Sequence, residues 1–334
     1  LLELELKRAL RQLIFVNRAK FMGEFSTIGL IGRLGSDAVT YSLKRLVAFL
    51  RTREVTVLLD SETGEAVADA SVQRVSRVEL PKLCDLVIVV GGDGSLLSSA
   101  RLMAGTNVPL LGINRGKLGF LTDISPEDIE VRVGEVLDGD FEREQRFLLQ
   151  ATVRRDQRVI GQSLALNDVV LHPGQFIRMI EFELFIDDTF VYRQSSDGLI
   201  ISTPTGSTAY ALSGGGPIMH PSLDALVLVP MNPHTLSSRP IVVSGSSDIR
   251  LIVGEQRDMR PHVTCDGQTH IVTRPGDEVK IVKSSHRLDL IHPKGHRFYQ
   301  VCRTKLGWAS RHSTDNSSNE RASIEETSAV RLGE

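Results

Sequence analysis

One aspartate stands among glycines at Gly91-Gly92-Asp93-Gly94. Glycine lets a backbone turn sharply and lets a ligand approach the main chain, because no Cβ stands in the way. Where a helix follows such a turn, its unpaired N–H groups make a ready site for phosphate. A carboxylate there repels phosphate unless it has a task, such as holding a metal, hydrogen-bonding a ribose hydroxyl or accepting a proton. The alternative is that Asp93 only caps the following helix. The turn is not a Walker loop, since no Gly-Lys-Ser/Thr follows, and it lacks the GxGxxG spacing of dinucleotide dehydrogenases. A second glycine-rich, basic stretch, Asn114-Arg115-Gly116-Lys117-Leu118-Gly119-Phe120, follows the next apolar run. In an open α/β sheet that places both loops at the edge where ligands bind.

Three more constellations lie downstream. Asn167-Asp168 sets an amide beside a carboxylate, a pair able to read a base edge and a ribose diol; the plainer reading is a turn into a strand. From Ser195 to Gly216 hydroxyl and glycine residues are dense enough to offer many donors to a polar ligand, the alternative being a solvated loop. Thr264-Cys265-Asp266-Gly267-Gln268 offers Asp266 and Gln268, although alone it reads as a hairpin turn. Among the nine histidines, His172, His220, His234 and His292 each neighbour a proline or a turn, with no HExxH, so neither a metal centre nor a triad is expected. Ser207 lacks the GxSxG elbow of serine hydrolases. Cys84, Cys265 and Cys302 are scattered without metal-ligand spacing, which suits buried apolar thiols in a reducing cytoplasm.

The elements that must position these residues follow from periodicity. Leu86 to Val90 is an unbroken, β-branched apolar run, as in a strand buried on both faces of a parallel sheet. Ile28–Gly32, Val55–Leu59 and Val108–Ile113 read as its neighbours, with helices at Tyr41–Leu50 and Leu96–Met103 between them and a further helix at Asp128–Leu137 after them. This alternation predicts a doubly wound, Rossmann-like α/β domain over residues 26–145. From Arg146 the runs shorten and often alternate: Phe147–Val153, Ser163–Leu171, Met179–Ile186, Phe190–Tyr192, Ile241–Val243, Ile249–Val253 and Val279–Val282. Residues 146–290 are therefore expected to form an antiparallel β-sandwich-like domain, with 291–308 returning to the α/β domain. Residues 1–25 read as an extension without signal-peptide layout, and 309–334, rich in Ser, Thr, Asn and Glu, as a disordered tail. A net charge of −2 with 41% hydrophobic and 24% charged residues leaves no electrostatic footprint for nucleic acid or an anionic membrane, and no apolar run is long enough to span one.

Taken in order, Gly91-Gly92-Asp93-Gly94, Gly119-Phe120-Leu121-Thr122, Asn167-Asp168, Asp197-Gly198, Thr203-Pro204-Thr205-Gly206-Ser207-Thr208-Ala209-Tyr210, Gly215-Gly216-Pro217 and Pro233-His234-Thr235-Leu236 resemble the bacterial NAD kinases, from about Ile28 to Arg311. The Gly-Gly-Asp-Gly turn alone marks only a wider kinase superfamily that includes lipid and sugar kinases; the Thr203–Tyr210 stretch is far more specific. The resemblance implies transfer of the γ-phosphoryl group of ATP, with Mg²⁺, to the 2′-hydroxyl of the adenosine ribose of NAD⁺. It implies that Asp93 orients the accepting hydroxyl and takes its proton, within a phosphate-binding turn of Gly91, Gly92 and Gly94. Asn167 and Asp168 match the pair that holds the adenosine half, with Leu97 and Phe120 at the adenosine pocket. Asp197, Thr208, Ala209, Tyr210, Ala211, Leu212, Ser213 and Gln268 match further dinucleotide contacts, some made across a subunit boundary of a dimer or tetramer. Arg178 stands where a basic or polar contact is expected. Ser195 departs from the Lys or Arg common at its position, and either it or Arg193, two residues back, makes that contact. A cytoplasmic location is expected from the scattered cysteines. The other readings are a related lipid or sugar kinase and a catalytically silent dinucleotide sensor.

Overall fold

The structure is a computed structural model that describes residues 24–33, 35–115, 119–174, 178–255, 259–295 and 297–308. The extension expected over residues 1–25, apart from Glu24 and Phe25, and the tail expected over 309–334 lie outside the described residues.

The chain opens with β1 (Thr27–Gly32), α1 (Asp37–Thr52), β2 (Thr56–Asp60), α2 (Ser61–Val67), β3 (Gln73–Val75), α3 (Leu80–Leu83), β4 (Leu86–Gly91), α4 (Asp93–Met103), β5 (Leu110–Asn114) and α5 (Ile129–Leu137). The five strands pair in parallel in the order β3-β2-β1-β4-β5. Every residue of β4 is buried, because α1 and α5 cover one face of the sheet and α3 and α4 the other. On the first face Leu43, Leu46 and Val47 of α1 and Val133 of α5 pack on Ile28, Ile88 and Val90. On the second, Leu96, Ala100 and Met103 of α4 pack on Val87, Val89 and Leu110. Helix α1 is longer at both ends than its apolar stripe, since Val39 in its first turn is also buried. The short β3, α2 and α3 have too few residues to show a period in the sequence.

The antiparallel part comprises β6 (Phe141–Arg155), β7 (Arg158–Ala165), β8 (Asp168–His172), β9 (Ile180–Ile186), β10 (Thr189–Ser196), β11 (Gly198–Ser202), α6 (Tyr210–Ser213), β12 (Ala225–Met231), β13 (Ile241–Ser244), β14 (Ile249–Val253), β15 (His262–Cys265), β16 (Thr269–Val272) and β17 (Glu278–Pro293), followed by α7 (Phe298–Leu306). Six of these strands form a sheet of order β13-β12-β11-β8-β15-β16. The others continue the first sheet to eleven strands, through β5-β17-β14-β9-β10, with β6 on β17 and β7 on β6. The two sheets pack face to face over Phe147, Phe182, Leu184, Leu199, Ile201, Val263 and Ile281. Strand β9 is a clear case of cause: Ile180, Phe182 and Leu184 are buried, while Glu181 and Glu183 between them are not, as the two-residue pleat requires.

Strand β17 belongs to both parts. Its start pairs antiparallel with β14, and at its far end Leu290 and Ile291 pair in parallel with Leu110 and Leu111 of β5. It unites two sequence runs, Val279–Val282 and Leu288–Ile291, across an irregularity between Lys283 and Arg287. The run Ser163–Leu171 is instead two strands, β7 and β8. Among the described residues no helix is long and apolar enough to cross a membrane.

Candidate active site

Strand β4 ends at Gly91, and Asp93 is the first residue of α4, with Gly92 at the N-cap. The Asp93 carboxylate does not cap its own helix. It accepts hydrogen bonds from the main-chain N–H of Phe120 (3.0 Å, on Oδ2) and Leu121 (3.2 Å, on Oδ1) and from the Thr122 hydroxyl (3.0 Å, on Oδ1). The Gly119–Thr122 motif is thus the cradle of Asp93. A Cβ on Gly119 would run into Asp93 Oδ1 and Thr122 Oγ1, so only glycine fits. Around Asp93 opens a cleft of about 340 Å³ whose wall includes Arg33, Asn114, Arg115 and, from α7, Lys305. Three cations at the N-terminus of a helix suit a polyanionic ligand.

A larger cavity of about 640 Å³ lies on the outer face of the six-stranded sheet. Asn167, Asp168, Arg178, Asp197, Ala209 and Tyr210, all singled out by sequence, line it, together with Val170, Thr264 and Met231. Asp168 is 4% exposed, and burial, reinforced by the Asp266 carboxylate, pushes it up to about 7. Asn167 Oδ1 is buried without a hydrogen-bond partner among the described residues. Asp197 accepts from the Asn232 amide at 2.9 Å. The sheet also brings His172, His262 and His270 to this face, and His172 is drawn below its ordinary value by burial and by the other two rings.

The Thr203–Tyr210 stretch turns out to be a scaffold for the cavity. Residues 203–207 are buried. The Thr203 hydroxyl donates to Leu166 O (2.6 Å), the Ser202 hydroxyl to Asn167 O (3.1 Å), and the Ser207 hydroxyl to Pro204 O (2.7 Å) while accepting from Met219 N (2.9 Å). Gly206 packs so closely on the Asn167 carbonyl that a Cβ would collide with it. Thr205 accepts from Arg146 (3.2 Å), whose other end meets Glu144 at 2.6 Å. These hydroxyls therefore fix the entry to β8 and hold Asn167, leaving Ala209 and Tyr210 at the cavity side, while the Thr208 hydroxyl donates to Thr205 O at 3.3 Å.

The hairpin turn Asp266–Gln268, between β15 and β16, joins cavity to cleft. The Asp266 side chain is fully buried; it pairs with Arg101 of α4 at 2.9 Å and accepts from the N–H groups of Leu166 (3.1 Å) and Asn167 (2.7 Å). Gln268 accepts from Arg101 (2.5 Å) and donates to Gly94 O (2.8 Å). Arg115 belongs to the basic, glycine-rich loop expected at this edge, whereas Arg101, Lys305 and Arg33 escaped the sequence reading, since a lone basic residue carries no local signal of its spatial partners.

The remaining expected residues fall elsewhere. Ser195 and Arg193 both face Glu181 of β9, at 3.5 and 3.2 Å. Leu97 is buried in the core beneath α4, and Phe120 sits on the Asp93 cradle with Lys305 Nζ 6.0 Å from its ring centre. Ala211 packs on the outer face of the sheet, and Leu212 and Ser213 complete the short α6. The three cysteines are buried and free, with Cys84 and Cys265 pushed up to about 12 by burial.

Comparison with known proteins gives a consistent picture. Residues 28–141 match the model of the ATP-NAD kinase N-terminal domain and residues 166–293 that of the ATP-NAD kinase C-terminal domain. The chain is 67% identical over 289 residues to the NAD kinase of Teredinibacter turnerae, covering 86% of this chain and 99% of the relative. It is 65% identical to the NAD kinase of Saccharophagus degradans, covering 86% and 98%. Among solved structures, the NAD kinase from Archaeoglobus fulgidus in complex with ATP superposes with a TM-score of 0.66 at 27% identity, covering 84% of this chain and 97% of that one. Yeast NADH kinase complexed with NADH gives a TM-score of 0.79 at 24% identity, covering 86% and 89%, a likeness of fold.

Proposed function

This chain belongs to the NAD kinase family, and from that premise we propose that it moves the γ-phosphoryl group of ATP to the 2′-hydroxyl of the adenosine ribose of NAD⁺, giving NADP⁺. The adenosine half of NAD⁺ occupies the 640 Å³ cavity. The orphaned Asn167 Oδ1 calls for a donor, which the amino group of the base supplies. Asp168, at about 7, is divided between its two protonation states near neutrality and can both donate to and accept from ribose hydroxyls. Arg178 and Asp197 serve the rest of the dinucleotide, with Thr208–Ser213 at the rim. Ser195 or Arg193 acts through Glu181, and Gln268 through Gly94 and Arg101.

The triphosphate of ATP lies in the 340 Å³ cleft, against Arg33, Arg115, Lys305 and the amides of the glycine turn. The observation that carries the reading is the Asp266–Gln268 turn, which walls the cavity on one side and is hydrogen-bonded to the Asp93 turn on the other. It sets a hydroxyl acceptor and a phosphate donor on two sides of one rigid link. A ribose hydroxyl is a poor nucleophile near neutral pH, and phosphoryl transfer is catalysed mainly by positioning and charge neutralisation. Asp93 is held by three hydrogen bonds, and Oδ2, which accepts one of them, has a second lone pair for the accepting hydroxyl and its proton. Asp93 and Asn114 are hard oxygen donors of the kind Mg²⁺ takes, and the ion when bound with ATP offsets phosphate charge. A cytoplasmic homo-oligomer, with the exposed Tyr210 near a subunit boundary, completes the proposal.

The test is a coupled assay for NADP⁺ from NAD⁺, ATP and Mg²⁺, run beside Asp93→Asn, with NAD⁺ affinity measured separately. Turnover is expected to fall by about 10²- to 10⁴-fold while NAD⁺ affinity stays nearly unchanged. Equal loss of both makes Asp93 a structural tether, and no NADP⁺ from a wild type that binds NAD⁺ makes the protein a sensor.

A further inference from the structure

Strands β8, β15 and β16 are consecutive in the six-stranded sheet, and each presents a histidine to the cavity face. The register makes this unavoidable. His172 pairs directly with His262, Val170 pairs with Thr264, and Thr264 pairs in turn with His270. Side chains of one antiparallel register row share a face, and so do residues two apart along a strand. His172 and His262 are therefore direct neighbours, and His270 lies on the diagonal from His262. Their rings converge: one ligand nitrogen from each lies within 4.8 Å of the other two, and the His172 and His262 ring centres are 5.7 Å apart, edge to face. His172 and His270 line the cavity itself.

We propose that His172, His262 and His270 form a transition-metal site in the cavity wall, taking Zn²⁺ or another borderline divalent ion through three imidazoles, with one coordination position open to the cavity. Three imidazoles without a carboxylate select Zn²⁺, Co²⁺, Ni²⁺ or Cu²⁺ over Mg²⁺ or Ca²⁺, so the site is chemically distinct from any oxygen-ligated metal at the Asp93 cleft. Tetrahedral Zn–N bonds of about 2.0–2.1 Å place ligand nitrogens about 3.3 Å apart. The three rings need only close inwards by side-chain rotation, for which the exposed His270 and the half-buried His172 and His262 have room. One contact must yield. Gly174 N–H donates to His172 Nδ1 at 3.1 Å, which leaves the proton of a neutral ring on Nε2. A metal on Nε2 moves that proton to Nδ1, and a metal on Nδ1 takes the lone pair directly, so either mode breaks this hydrogen bond. The competing account is that the rings are only a polar wall, in which case they bind no ion in a defined geometry.

Co²⁺ distinguishes these, because four-coordinate Co²⁺ absorbs strongly in the visible and six-coordinate Co²⁺ only weakly. The full chain, free of any oligohistidine tag, is titrated with Co²⁺. One equivalent is expected to give the strong four-coordinate bands. His270→Ala, on an exposed strand position, is expected to weaken Co²⁺ binding at least about tenfold, with His234→Ala as an unchanged control and thermal melts confirming folding. His270→Cys is expected to keep the visible bands and add a near-ultraviolet sulfur-to-cobalt charge-transfer band, which only direct ligation produces. A wild-type spectrum of the weak kind alone, bands that survive His270→Ala, or a His270→Cys variant that binds Co²⁺ without the charge-transfer band would overturn the site.

Discussion

The cleft around Asp93 and the cavity below Asn167 treat their polar groups in opposite ways. In the cleft the chain satisfies the carboxylate itself, with two main-chain N–H groups and a hydroxyl. In the cavity Asn167 Oδ1 is buried and has no partner among the described residues, and Asp168 is buried beside a second carboxylate. The contrast separates two tasks. A group that acts on a reacting atom gains from being locked before substrate arrives, because positioning contributes to rate. A group that recognises a ligand gains from being left unsatisfied, because a ligand that completes it is then favoured over one that does not.

Unlocking the cleft is expected to have the largest effect. In Gly119→Ala the new methyl displaces the Asp93 carboxylate from its cradle; a shift of that size costs about 10²-fold in turnover. Steady-state assays should show this in kcat, with the KM for NAD⁺ unchanged; a change confined to KM would assign the cradle to binding. Asn167→Ala should do the reverse, weakening NAD⁺ binding about tenfold, the worth of one good hydrogen bond in a buried site, with kcat little altered. Titration calorimetry together with kinetics separates the two, and an effect on kcat alone would collapse the contrast.

The smallest effect concerns stability. The folded value of Asp168, about 7, lies above the ordinary 3.8, so between those pH values the native chain holds a proton that the unfolded chain has released. This contribution is full below about pH 4 and is lost as pH rises through 7. Asp168→Asn cannot ionise, so its Tm relative to wild type should rise by about a few degrees between pH 5 and pH 8. A pH-independent difference would mean that Asp168 is ionised throughout.

Much of the architecture was legible because the buried strands are long, apolar and bounded by glycine. Leu86–Val90 and Ile249–Val253 carry their period on the surface of the sequence, whereas β3 has only three residues and α3 four. The Asp93 turn and the Asn167-Asp168 pair were legible from residue type. What Asp93 bonds to was not, since Gly119–Thr122 reaches it from another loop. Nor was the role of Thr203 and Ser207, whose hydroxyls face inward to Leu166 O and Met219 N. Linear spacing also hid the histidines: His172 and His262 are far apart in sequence, and only the pairing of β8 with β15 sets them side by side.

The bridging strand β17 has a consequence for how the chain is made. Strand β5 is buried along its whole length; Ile124 bridges the far half of its outer flank at Ile113, yet the near half is closed only when Leu290 and Ile291 arrive beside Leu110 and Leu111. During synthesis the parallel half therefore leaves the ribosome with an open apolar strand edge, and it waits for most of the remaining chain before that edge is sealed. Such an edge invites pairing with another nascent chain. A fragment that ends before β17 should accordingly aggregate when expressed, even though it contains β1 to β5 and α1 to α5 and lacks, of the elements on that layer, only β17 and α7.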